Sequence, residues 1–427
     1  MRIDKNQINT INNRALPDHR ESFEYLSNKL TTKGLEPEQL IQKIQDFQIA
    51  IPSWALGTGG TRFGRFPGGG EPRSLEEKID DVGLLHALNA GSGAISLHIP
   101  WDIPEDIGAV KAHAASHNLL FDAVNSNTFQ DQEEQEHSYK FGSLCHTDSK
   151  VRQQAIDHNL EVIKYGDQLG SKALTVWLAD GSSFPGQMNF RKALQRTLDS
   201  LKEIYQGMPA DWKMFVEYKP YEPYFYHTVI QDWGTSHLLA SQLGDRAFTL
   251  VDLGHHLPNT NIEQIVATLM MQGKLGGFHF NDSKFGDDDL TVGAMKSYQL
   301  FLIFNELVEG MEDNASKNPA PAWMIDASHN LKDPMEDLLQ SVEAIQLAYA
   351  QALTVDRNAL ENARESNDAV LAQEILQNAF RTDLRPLIAE ARLQANAALS
   401  PVEVYRELSV RKQLVKERGA KTLATGL

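Results

Sequence analysis

The sequence predicts an α/β fold, a (β/α)8 TIM barrel with N- and C-terminal helical extensions. Three observations predict it. Short apolar runs alternate with amphipathic stretches eight times between residues 48 and 355, the pattern of a parallel sheet. The runs are rich in Val, Ile and Phe, as strands covered on both faces are. Eight such units in roughly 300 residues suit a closed barrel better than an open doubly wound sheet.

The elements follow in order. Residues 1–47 read as helix, turn, helix, because EPEQLIQKIQDF sets apolar residues at helical spacing with acidic residues early. IAIPSWAL (49–56) reads as the first strand, before the helix SLEEKIDDVGLLHAL (74–88). AISLHIPW (94–101) precedes the helix DIGAVKAHAASHNL (106–119), and FDAVNSNTF (121–129) precedes VRQQAIDHNLEVIKYGDQLG (151–170). ALTVWLA (173–179) is followed by FRKALQRTLDSLKEIYQGM (190–208), and KMFVEYKP (213–220) by SHLLASQLG (236–244). AFTLVDLGHH (247–256) leads to NIEQIVATLMMQG (261–273), and LGGFHFND (275–282) to SYQLFLIFNELVEGM (297–311). PAWMIDAS (321–328) and PMEDLLQSVEAIQLAYAQAL (334–353) close the series. Residues 356–427 read as charged amphipathic helices, as in EILQNAFRTDLRPLIAEARLQ. The expected organisation is therefore 1–47, 48–355 and 356–427. The stretch GTGGTRFGRFPGGGE (57–71) lacks the Gly-Lys-Ser/Thr ending of a phosphate loop. It reads as a flexible loop over the barrel mouth.

The totals narrow the partners. The chain has 427 residues, 57 of them acidic against 40 basic, for a net charge of -17. Such a surface repels phosphate backbones and anionic membranes, so no nucleic-acid or membrane partner is expected. Cys145 is the single cysteine, so no intramolecular disulfide forms, which fits a reducing compartment. The polar N-terminus has no apolar h-region, and no apolar run approaches the ~18–20 residues that span a bilayer. A cytoplasmic protein is expected.

In such a barrel, chemistry sits at the C-terminal ends of the strands. The fifth strand gives Glu217 and Lys219, the sixth Asp252 and His255, the seventh His279, and the eighth Asp326. The second and fourth add His98 and Trp177, and the loop after the seventh adds Asp287 and Asp289. Taken singly, a strand histidine is ordinarily a hydrogen-bonded core residue, a buried glutamate is ion-paired, and three aspartates make a solvated loop. Taken together, Glu217, Asp252, His279 and Asp326 come from four consecutive units, and buried carboxylates without a counter-charge are costly. A cation among them resolves the conflict. Oxygen-rich ligands with one nitrogen suit Mg²⁺, Mn²⁺ or Co²⁺ more than structural Zn²⁺. His255, Asp287 and Asp289 form a second set for a second divalent ion, and Glu217 can bridge both. Asp287 and Asp289, two apart, share a side if the loop is extended. Asp288 then faces the other way into solvent, and His256 faces away from His255.

EYKPYEP (217–223) resembles the Glu-x-Lys-Pro-x-Glu-Pro motif of the xylose isomerase superfamily. VDLGHH (251–256), FHFNDSKFGDDDLTVG (278–293) and MIDASHN (324–330) are closer still to the bacterial L-rhamnose isomerases of broad sugar specificity. PSWALGTGGTRF (52–63) and the histidine of LHIPW fit the same pattern. The resemblance spans about residues 50–355. It implies an aldose–ketose isomerase with two divalent metal ions per subunit, Mn²⁺ preferred over Co²⁺ or Mg²⁺, assembled as a homotetramer. It further implies that Glu217, Asp252, His279 and Asp326 hold a structural metal at sugar O2 and O3. His255, Asp287 and Asp289 would hold a catalytic metal near O1 and O2. Lys219 would bond a substrate oxygen, and Trp54, Phe63, His98 and Trp177 would shape the pocket. Asp326, Lys219, Glu217 and His98 are the expected catalytic residues.

The expected reaction moves one hydrogen between C2 and C1, converting L-rhamnose to L-rhamnulose and acting on L-mannose, L-lyxose and D-allose. A metal-assisted hydride shift is favoured over an enediol route, since a carboxylate bound to metal is a weak base. Rival readings are a metal-dependent sugar-acid dehydratase or another sugar isomerase or epimerase on the same barrel. A metal-dependent endonuclease is opposed by the charge. A sugar-binding protein without turnover would leave Asp287 and Asp289 as a solvated loop.

Overall fold

Eight parallel strands close into a ring: β1 (Ala50–Pro52), β2 (Ala94–Ile99), β3 (Leu120–Ser126), β4 (Ala173–Val176), β5 (Lys213–Glu217), β6 (Ala247–Asp252), β7 (Leu275–Phe280) and β8 (Ala322–Ile325). The computed structural model describes residues 3–59, 66–222, 225–313, 318–329 and 331–424. Each strand pairs with its sequence neighbours, and β8 closes on β1 through Met324 opposite Ala50. The predicted barrel is therefore the observed one.

The strands alternate with α3 (Leu75–Asn89), α4 (Ile107–Ser116), α5 (Ser149–Leu169), α6 (Phe190–Gly207), α7 (Trp233–Leu243), α8 (Ile262–Met271), α9 (Ser297–Asp313) and α10 (Pro334–Leu353). All but α9 begin after a Ser, Asp or Asn whose side chain accepts a first-turn backbone N–H: Ser74, Asp106, Asp148, Asn189, Asp232, Asn261 and Asp333. Such caps satisfy donors that a helix leaves open at its start. They fix where each loop from the mouth re-enters the outer layer.

The barrel interior explains the polar strand ends. Ala50, Ala123, Ala173, Phe215, Phe248, Leu250 and Met324 fill the lower lumen. Side chains alternate along a strand, so the residue two further on also points inward. Phe215 leads to Glu217, Leu250 to Asp252, Met324 to Asp326, and Ala173 through Thr175 to Trp177. The same phase carries Ser96, which meets the Met324 sulfur at 3.9 Å, to His98. The site is the top layer of the lumen core.

Two local features differ from expectation. IAIPSWAL is a strand only over Ala50–Pro52, and Ser53–Leu56 form a 3₁₀ helix that carries Trp54. An antiparallel ribbon, Gly181–Ser182 against His227–Thr228, spans the loops after β4 and β5.

Before the barrel lie α1 (Lys5–Thr32) and α2 (Pro37–Asp46). After it come α11 (Arg357–Glu365), α12 (Ala369–Phe380), α13 (Arg385–Gln394), α14 (Pro401–Glu407) and α15 (Val410–Arg418). The barrel's outer core takes in Ile8 of α1 and Val404, Tyr405, Val410 and Leu414 of the last two helices. Buried Asn12 donates to the Ala397 carbonyl at 2.9 Å and accepts from Leu399 N–H at 3.0 Å. Arg418 meets Asp81 of α3 with two bonds of 2.7 and 2.8 Å. Buried Glu71 accepts from Thr58 Oγ1 at 2.6 Å and from Ala424 N–H at 3.0 Å. Gly69 and Gly70 have φ of +75° and +70°, and a Cβ on either would fall within 2.8 Å of the backbone of Ala420 or Val415. Only glycine allows the end of the 57–71 loop to lie against the C-terminal segment. Among the described residues, no helix is long and apolar enough to cross a membrane.

Candidate active site

Asp252 at the end of β6 is the register partner of His279 on β7, so the ladder itself brings carboxylate and imidazole to one level. Asp252, His279 and Asp326 offer donor atoms within 4.8 Å of one another, and so do Glu217, Asp252 and His255. Glu217 Oε1 lies 3.2 Å from Nδ1 of His279 and 3.2 Å from Nδ1 of His255. The two expected ligand sets thus share a border at Glu217 and Asp252. Asp287 Oδ1 is 3.1 Å from His255 Nε2, and its Oδ2 is 2.5 Å from Lys219 Nζ. Asp289 accepts from Ser328 Oγ at 3.0 Å.

The aromatic residues join the same ring of contacts. Trp54 Nε1 donates to Asp326 Oδ1 at 2.8 Å. Trp54 meets His98 edge-on, with centroids 5.4 Å apart. Phe129 lies edge-on to both His98, at 5.6 Å, and Trp177, at 4.6 Å. Lys219 Nζ sits 5.0 Å over the Trp177 ring, a cation–π contact. Phe63 lies outside the described residues.

Three other placements bear on expectation. Asp288 is exposed and accepts from the N–H groups of Lys284 and Phe285, closing its own loop. His256 turns away and meets Tyr218 Oη at 2.7 Å. Asp289 adopts φ +47°, so the loop carrying Asp287 and Asp289 turns sharply and is not extended. Two contributors escaped the sequence reading. Glu222 pairs with Lys219 from three residues on, and the second Glu of EYKPYEP was the available signal. Phe129, the inward wedge between His98 and Trp177, follows the polar stretch NSNT, which gives no such signal.

Electrostatics set the character of the mouth. Glu217, Asp252, Asp287 and Asp289 are buried and Asp326 is half-buried. Burial and the nearby Glu217 and Asp326 push Asp252 up to about 6 against the pull of His255. Burial, then Asp287, Asp326 and Asp252, hold Asp289 well above the usual carboxylate range. Burial opposes the charge on Glu217, but His279 and His255 outweigh it and draw it down to about 2. Burial likewise opposes the imidazolium of His279, but Glu217 and Asp326 raise it to about 9. His98 goes the other way: burial lowers it to about 4, so its ring is neutral at pH 7.

This donor set fits divalent cations. Asp252 Oδ2, Asp289 Oδ1 and His279 Nε2 are buried and make no hydrogen bond, and buried polar atoms are rarely left so. Against the cost of burial, the neighbouring carboxylates hold the imidazoles of His255 and His279 above their ordinary range, and a cation bound there would compete with those protons.

A closed parallel TIM barrel carries this cluster of carboxylates and imidazoles at its C-terminal mouth. The chain is 53% identical over 398 residues to a probable sugar isomerase of Rhizobium meliloti, covering 93% of this chain and 92% of that protein. It is 52% identical over 410 residues to a probable sugar isomerase of Mesorhizobium japonicum, covering 96% and 95%. The chain belongs to this family of probable sugar isomerases. An L-rhamnose isomerase of Rhodopirellula baltica is 24% identical over 364 residues, 76% of this chain and 83% of that protein. No family model matches the chain. Among solved structures, an L-ribulose 3-epimerase superposes with a TM-score of 0.53 at 15% identity, covering 76% of this chain and 97% of the other. A D-allulose 3-epimerase of Methylomonas sp. gives 0.52 at 12% identity, covering 70% and 98%. These two share the fold.

Proposed function

We propose that the chain is an L-rhamnose isomerase of broad sugar specificity. It would convert L-rhamnose to L-rhamnulose and act on L-mannose, L-lyxose and D-allose. The observation that carries this reading is the mouth itself, where five carboxylates and two imidazoles converge with buried donor atoms left unpaired. The choice of sugar is supported by the motifs at 217–223, 251–256, 278–293 and 324–330 and by the distant L-rhamnose isomerase.

Glu217, Asp252, His279 and Asp326 would hold one divalent cation, and His255, Asp287 and Asp289 the other, Mn²⁺ being preferred over Co²⁺ or Mg²⁺. Bound there, divalent cations supply Lewis-acid polarisation of adjacent sugar oxygens. The remaining work belongs to the chain. Lys219 keeps its charge, since Asp287 and Glu222 outweigh the cost of its burial, and donates to a sugar oxygen. Neutral His98 has a free Nδ1 and exchanges a proton with a sugar hydroxyl there. Trp54 fixes one oxygen of Asp326, leaving the other to manage the hydroxyl proton between O1 and O2. The rings of Trp54, Trp177 and Phe129 pack on the apolar face of the sugar and exclude water. Hydrogen then passes from C2 to C1 as hydride without leaving the substrate. A homotetramer is part of the reading. Exposed Phe184, Phe285 and Leu331 on mouth-side loops support a rim covered by other subunits.

The test incubates purified protein and Mn²⁺ with L-rhamnose, L-mannose, L-lyxose, D-allose and D-xylose, and follows ketose by chromatography. Conversion led by L-rhamnose is expected. Failure on all five, or a product lighter by one water, overturns the reading, the latter in favour of a dehydratase. Substrate deuterated at C2 should keep its label at C1 of the ketose, whereas loss of label to water would mean an enediol.

A further inference from the structure

On the outer wall of the barrel, away from the mouth, Asp80 of α3 faces two imidazoles at the end of α4. His113 and His117 stand four residues apart and share one helix face. Nε2 of His117 is 2.9 Å and Nε2 of His113 is 3.1 Å from the same oxygen, Asp80 Oδ1. All three donor atoms lie within 4.8 Å of one another. In a tetrahedral zinc site with ligands at ~2.0–2.1 Å, neighbouring donors stand roughly 3.3 Å apart. Two of the three edges are already near that spacing.

Three further features point to a ligand and not to a simple ion pair. His113 Nε2 is buried and makes no hydrogen bond despite its closeness to the carboxylate. The two rings stand at 86°, with centroids 5.2 Å apart, so they do not stack. Gly83, one turn beyond Asp80, clears the space: a Cβ there would fall 2.2 Å from His117 Nδ1. A glycine inside a helix is less favourable than alanine, and here it admits the imidazole. The side chain of His117 is 8% exposed, while those of His113 and Asp80 are each 27% exposed. The cluster is sheltered but open on one side.

We propose that Asp80, His113 and His117 form a second kind of divalent-cation site, one that takes zinc and its borderline neighbours. Two imidazoles and one carboxylate favour Zn²⁺, Ni²⁺ and Cu²⁺ over Mn²⁺ and Mg²⁺, the reverse of the oxygen-rich mouth. The fourth position is open to solvent. A cation there joins α3 to α4 and so ties two successive barrel units together. The inference does not depend on the isomerase reading.

The experiment uses the full chain loaded with Mn²⁺, then equilibrated against buffered free Zn²⁺, with zinc per chain counted by elemental analysis. Wild type should hold one zinc more than His117→Ala and than His113→Gln, with the folded state of each variant checked by circular dichroism. His113→Gln alters a partly exposed side chain and decides the matter if His117→Ala folds poorly. Equal zinc content in wild type and the folded variants overturns the proposal.

Discussion

The carboxylate of Asp289 is buried among Asp287, Asp326 and Asp252, with the hydroxyl of Ser328 donating to it at 3.0 Å. A carboxyl whose folded pKa is raised contributes stability below its unfolded value near 3.9, and that contribution is lost as pH rises through the folded value. In the metal-free mouth, burial and the neighbouring Asp287, Asp326 and Asp252 therefore oppose the ionisation of Asp289. Asp289→Asn should raise the melting temperature of metal-free protein at pH 7. The same change should lower activity by about 10² or more and remove one divalent cation per chain. Calorimetry on the apo-protein and metal analysis check the two halves; full activity with a full metal complement would take Asp289 out of the site. The oddity of three adjacent aspartates was legible in the sequence. Their sorting was legible in part, since Asp288 is indeed the solvated one. The left-handed turn at Asp289 was not, because it depends on Asp288 capping Lys284 and Phe285 and on Ser328 arriving from beyond β8.

At the scale of elements, the strands were legible because each is a short apolar run between helices that begin with strong capping residues. The length of β1 was not, since IAIPSWAL is apolar at every position but Ser53. Pro52 has no N–H to donate to the ladder, and pairing stops there. Long-range polar links were equally hidden. In the first turn of α10, Asp337 receives Lys332 Nζ at 2.9 Å and Thr291, and lies 2.7 Å from His329 Nδ1. Burial opposes its charge, but His329 and these donors draw it down to about 2. Because the folded pKa is depressed, its contribution is present above the unfolded value and lost as pH falls toward 2. That contribution is about 2 kcal/mol, so the stability gap between wild type and Asp337→Asn should narrow from pH 5 to pH 2.5 in urea unfolding. On α3, Asp81→Ala would strand buried Arg418 and should cost about 3–5 kcal/mol. Adding Arg418→Met should recover much of that loss in the same assay; no recovery would mean the pair matters for another reason.

For the whole molecule, the metal ions of the proposed function bear on folding as well as chemistry. Ligands that bind only the folded state stabilise it by about 2.7 kcal/mol at 100 times Kd. Exhaustive chelation should abolish activity and lower the melting temperature, and Mn²⁺ should restore both. Full activity in protein shown by elemental analysis to be metal-free would end the metal reading. The barrel was legible from alternation alone, whereas the closure of the C-terminal segment over α3 was not. Asp81 and Arg418 are 337 residues apart, and Glu71 and Ala424 are 353 apart, a separation no local pattern reports. That separation matters while the protein is being made. At translation rates of about 5–20 residues per second, a nascent chain waits on the order of tens of seconds between exposing Asp81 and Glu71 and delivering their partners. The first barrel units emerge from the ribosome with buried-type charges still open, and a stretch synthesised more than 300 residues later is the one that lets that part of the wall settle.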